Sequence, residues 1–151
     1  MKKYYILLLL VVFAASGCEK DDFCIDPITP NLILRFYDAD NPTTVLSVDD
    51  LSIWPEGFQD SIVSSATLDS IAIPLDINNI ETIYNFKMGD LTDQIIITYD
   101  VGEVFVSRSC GFKAIFENAA ATLETTNWMQ SLEVISTTIE DESAAHIEIF
   151  H

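Results

Sequence analysis

From Leu32 onward the apolar residues of this chain come in short alternating runs, a spacing that suits strands and not helices. Leu32, Leu34 and Phe36 would share one face of a strand, with Asn31, Ile33 and Arg35 on the other. Asp38-Ala39-Asp40-Asn41-Pro42 follows as a turn by composition. Residues 44–53 resume the alternation and Trp54-Pro55-Glu56-Gly57 breaks it. Further strands are predicted over residues 61–66, 70–75, 81–87, 94–99, 104–107, 112–116, 132–138 and 146–150, all rich in β-branched and aromatic side chains. Asp100-Val101-Gly102-Glu103 reads as a turn that pairs the strands on either side into a hairpin. Residues 118–129 read as a loop with one helical turn, because their threonines and asparagine weaken a longer helix. About nine short strands with no long helical segment predict an all-β fold, an antiparallel β-sandwich with a barrel as second choice.

The amino-terminal segment has a different logic. Lys2 and Lys3 precede an apolar run from Tyr4 to Ala15, and Ala15-Ser16-Gly17-Cys18 closes it. A basic start, a short greasy stretch and small residues at the cut are the parts of an export signal. The cysteine at the cut resembles the lipobox of bacterial lipoproteins, whose thiol is acylated and becomes the new terminus. The expected organisation is therefore a signal peptide over residues 1–17, a lipidated tether over 18–30 and a β-sandwich over 31–151. No later apolar run approaches the roughly 18 residues a spanning helix needs. Several acyl chains on Cys18 would thus be the membrane attachment.

Charge narrows the partners. The chain carries 7 basic and 24 acidic residues, a formal charge of −17 that becomes −19 once Lys2 and Lys3 leave. Such a surface repels phosphate backbones, so no nucleic-acid partner is expected. With Cys18 spent on lipid, Cys24 and Cys110 remain as an even pair in an oxidising compartment, and a disulfide between them is predicted. The chain-entropy value for a loop of that size is at most about 4–5 kcal/mol. A free thiol pair and a metal site are the rival readings.

The order Cys24-x-x-Pro27-x-x-Pro30, Phe36-Tyr37-Asp38, Ile73-Pro74-Leu75, Ser107-x-Ser109-Cys110-Gly111-Phe112 and His146-Ile147-x-Ile149-Phe150 is similar to a group of small Bacteroidota lipoproteins, catalogued as a domain of unknown function. That resemblance implies an envelope address but carries no known activity, so no functional residue transfers with it. Glu19-Lys20-Asp21-Asp22 is similar to the acidic signal that routes some lipoproteins of that phylum to the cell surface.

Chemistry-bearing patterns are sparse. The histidines are His146 and His151, and Ser107-Arg108-Ser109-Cys110-Gly111 lacks the Gly-x-Ser-x-Gly elbow of a serine nucleophile. His146, Glu148 and Phe150 would share a face of a solvent-facing edge strand. Asp38-Ala39-Asp40-Asn41 has part of a calcium loop's alternation without its glycine or distal glutamate. Asp49-Asp50, Asp76 with Asn78, and Asp90 with Asp93 read as turn formers. Neither metal nor cofactor is expected. Trp54 and Trp128, near predicted turns, are the candidates for a ligand platform, with core packing as the alternative. The reading is a non-catalytic, lipid-anchored binding or accessory module of the outer membrane, with a protein or glycan partner. A small envelope hydrolase using His146 and a purely structural spacer are the alternatives.

Overall fold

The computed structural model describes Cys24 and residues 29–151, so the expected signal peptide, Cys18 and most of the tether lie outside the described residues. Among the described residues nine strands form two sheets and no closed barrel: β1 (Leu32–Tyr37), β2 (Val48–Pro55), β3 (Val63–Leu68), β4 (Ser70–Ile73), β5 (Glu81–Met88), β6 (Leu91–Ser107), β7 (Gly111–Leu123), β8 (Ser131–Val134) and β9 (Ile147–Phe150). The smaller sheet has the order β4-β1-β9-β8 and the larger β3-β2-β5-β6-β7. The predicted sandwich is therefore correct. One pairing departs from an antiparallel plan, because β1 and β9 run parallel, with Leu34 opposite Ile147 and Phe36 opposite Ile149.

Alternation decides which side chains meet between the sheets. Leu32, Leu34 and Phe36 on β1 and Ile147 and Ile149 on β9 are buried, as are Leu51 and Ile53 on β2, Tyr84 and Phe86 on β5, and Ile95 and Ile97 on β6. These residues form one apolar cluster, and burying a side chain of this kind contributes about 2–3 kcal/mol. A two-residue turn, Gly89-Asp90, joins β5 to β6 with Gly89 at φ 57°, a value a glycine adopts without steric cost.

Three local expectations fail for one reason, the length of the β6–β7 ribbon. Residues 100–103 are not a turn but lie inside β6, which pairs with β7 from Ile95 opposite Leu123 to Ser107 opposite Gly111. The hairpin predicted between residues 94–99 and 104–107 is therefore absent. The loop expected over residues 118–129 begins as strand, since β7 runs on to Leu123 and sets Ala120 and Ala121 against Thr98 and Ile97. A register shift between Thr98 and Asp100 marks where the ribbon changes character. There Asn118 takes φ 52°, tolerable for asparagine, and its amide donates to the Asp100 carboxylate at 2.8 Å.

Beyond Thr98, β5 no longer accompanies β6, and the ribbon continues as a two-stranded arm. Ile139 pairs with Phe116 near its base, and the Lys113 ammonium donates to the Glu140 carbonyl at 2.6 Å. At the tip, Cys110 is disulfide-bonded to Cys24.

Candidate functional site

The loops that follow β2 and β4 meet the first residues of β5 at the end of the sandwich from which the arm projects. Between them lies an open groove of about 500 Å³. Pro55, Phe58, Pro74, Leu75 and Ile83 supply its apolar walls, and Glu56, Asp76 and Glu81 are among its polar lining. Phe58 is 67% exposed, so its ring is presented rather than packed.

A hydrogen-bonded chain fixes the groove's floor. The Tyr84 hydroxyl donates to the Pro74 carbonyl at 2.7 Å, and the Tyr99 hydroxyl donates to the Asp76 carbonyl at 2.9 Å. The Tyr99 oxygen also meets the Thr82 hydroxyl, which accepts from the Asp76 backbone N–H at 3.1 Å. Burial raises both phenols, with Tyr84 pushed up to about 12, so both stay neutral hydrogen-bond donors. The Asp76 carboxylate accepts from the Asn78 backbone N–H at 2.8 Å and the Asn79 amide at 2.6 Å. These bonds, the backbone one first, hold it below the usual carboxylate range. The floor hydroxyls are thus engaged with the protein itself, while the apolar walls and acidic edge face outward.

The two tryptophans separate. Trp128 is a core residue: it is 7% exposed, its indole N–H donates to the Phe86 carbonyl at 3.1 Å, and its ring packs on Phe36 and His151. A buried, bonded indole offers no platform. Trp54 is half-buried on the outer face of the larger sheet, in register with Asn85, which is itself opposite Gln94. The Gln94 amide donates to Asn85 at 3.2 Å, so one indole and two joined amides cross that face in a row.

His146 corrects the expectation of an exposed edge. It is 5% exposed, and β9 lies inside the smaller sheet between β1 and β8. The Ile33 backbone N–H donates to His146 Nδ1 at 2.9 Å. Burial lowers its pKa, against an opposing pull from Asp141 and Glu142. A small cleft beside it holds Ser136 and Ser143, but these hydroxyls donate to the Thr138 carbonyl and the Asp141 carboxylate. The imidazole clips a loop to β1.

Asp93, read as a turn former, is instead fully buried within β6. Its carboxylate accepts the backbone N–H groups of Asn127 at 2.7 Å, Trp128 at 2.8 Å and Met129 at 2.8 Å. Burial alone would raise its pKa, but these bonds, with one from Thr125, outweigh it and hold the group ionised below the usual range. Asp38 caps its own turn by accepting from the Asp40 N–H. Among the described residues no three His, Cys, Asp or Glu side chains converge as metal ligands.

The chain matches a family of unknown function (DUF6452) over residues 50–151. It belongs to that family. The match takes in β3 to β9 and most of β2 while leaving out β1, so it includes the groove, the arm, Trp54, Asp93 and His146. No curated protein and no solved structure matches the chain.

The groove had no sequence signal of its own. Trp54-Pro55-Glu56-Gly57 and Asp76-Ile77-Asn78-Asn79 read as separate turns, and only the pairing of β2 with β5 brings them together. Asp93 did have one: it is two residues before Ile95 and four before Ile97, on the face that a period of two turns inward.

Proposed function

We propose that the protein is a lipid-anchored, non-catalytic binding module of the bacterial outer membrane, facing the cell surface, which engages a protein partner in the groove at the arm end. The observation that carries the binding part is the exposed Phe58 beside Pro55 and Pro74, framed by the carboxylates of Glu56, Asp76 and Glu81. Apolar walls suit the stem of a long side chain and an acidic edge suits its cationic end, so the reading names a partner segment bearing lysine or arginine. The anchor rests on Ala15-Ser16-Gly17-Cys18 after an apolar run, and surface routing on Glu19-Lys20-Asp21-Asp22 and the resemblance to Bacteroidota lipoproteins. Confinement near a membrane raises effective concentration, so a groove of modest affinity suffices.

The test is a photo-crosslinking phenylalanine analogue placed at Phe58 of the chain expressed in its native envelope. The expected result is a discrete adduct with one protein, weakened severalfold by Glu56→Gln together with Glu81→Gln. Adducts that ignore those changes would remove the groove from function. A second reading, a glycan laid across Trp54, Asn85 and Gln94, is favoured by that row of indole and amides; Trp54→Ala would then abolish retention on polysaccharide while leaving the Phe58 adduct intact.

A further inference from the structure

We propose that the tip of the β6–β7 arm sits in the headgroup layer of the membrane that holds the anchor, as a second point of attachment. The placement rests on the lipid-anchor reading above and extends it by three independent observations. The first is covalent reach. Cys110 at the tip is bonded to Cys24, and Cys24 is six residues from Cys18, a distance of at most about 20 Å for an extended chain. A lipidated Cys18 therefore keeps the tip within that reach of the bilayer.

The second is apolar exposure. Phe105 is 56% exposed and Phe112 is 63% exposed, paired across the ribbon with ring centroids 5.4 Å apart, and Val104 beside them is 37% exposed. Phe105 and Phe112 lie on the same face of the ribbon as the fully buried Phe116 nearer the body, by the period of two and the cross-strand register. The arm thus extends a core-type face past the point where the sandwich covers it. The third is charge. From Val104 to Phe116 the chain carries no acid, and Arg108 at the tip is a cation within a protein of formal charge −17; Lys113 in the same stretch is engaged with the Glu140 carbonyl. Aromatic rings at headgroup depth with a cation at the phosphates are the usual composition of an interfacial contact. A lipid surface fits all three observations.

The full chain, isolated with its acyl groups and reconstituted in phosphatidylethanolamine–phosphatidylglycerol vesicles containing brominated lipid, tests the placement. Trp54→Phe removes the half-exposed indole and leaves the buried Trp128 as background. In that chain, Phe112→Trp reports from the tip and Asp90→Trp from the turn at the opposite end. The expected result is severalfold stronger bromine quenching at position 112 than at position 90. Equal quenching in protein whose Cys18 acylation is confirmed by mass spectrometry overturns the tip contact and leaves the anchor standing, including where the tip proves to be covered by a second copy of the chain. A Cys18 without acyl groups overturns the anchor and the placement together.

Discussion

The sandwich and the arm are made from the same two strands, yet they are stabilised by different means. Up to Thr98, β6 has a strand on each side and a second sheet against its inner face, and Ile95 and Ile97 are fully buried. Past Asp100 the ribbon has one partner strand along most of its length, exposed phenylalanines on its face and a disulfide at its end. Burial holds the first region, whereas the second depends on cross-strand pairing and one covalent bond. Strand length alone therefore does not measure how firmly a segment is fixed.

The comparison breaks most readily at Asp93. Asp93→Ala leaves two buried backbone donors and one part-buried donor without their acceptor and should lower the stability of the sandwich by roughly 3–5 kcal/mol in chemical denaturation. The carboxylate's depressed pKa means this support is complete above the unfolded value of 3.8 and is lost as pH falls below it, so the gap between the two proteins should narrow in acid. A midpoint unchanged by Asp93→Ala would show that the carboxylate is not what ties the 124–130 connection to β6.

Replacing both Cys24 and Cys110 by serine tests the other region. Losing a disulfide typically costs about 2–4 kcal/mol, below the chain-entropy ceiling, and hydrogen exchange should locate the loss, with the amides of residues 101–117 exchanging faster than those of β5. Uniform acceleration through both regions would mean that arm and body unfold as one unit.

The smallest effect concerns His146, which faces Ile33 of β1 and the carboxylates of Asp141 and Glu142. Its folded pKa is depressed by burial, so its contribution is fully present above the unfolded value of 6.5 and declines as pH falls through the folded one. Between pH 7 and 5 stability should therefore fall. Because protonating surface acids changes stability too, the measurement is the difference between wild type and His146→Gln across that range. A parallel pair of curves would contradict it.

What the chain's residues announce in advance divides along the same line. The body was readable, because Leu32, Leu34 and Phe36, or Ile95 and Ile97, alternate as a half-buried strand must. The arm was not. Asp100 and Gly102 are turn-type residues, and Ala119-Ala120-Ala121 favours helix, but pairing across the ribbon overrides both preferences. Asp93 was misread because its partners lie 34 to 36 residues further along, and the groove because it needs two distant turns to meet. His146 was assigned to an edge since nothing local states that β9 will pair with both β1 and β8.

That last pairing bears on the order of assembly. β9 lies between strands that enter the smaller sheet from opposite parts of the polypeptide, with Leu34 aligned to Ile147. A nascent or clipped chain lacking residues 147–150 has β1 with β4 on one side and β8 on the other, and nothing to bridge them. Closure of this sheet therefore rests on a contact between segments more than a hundred residues apart, a long-range pairing of the kind that slows folding.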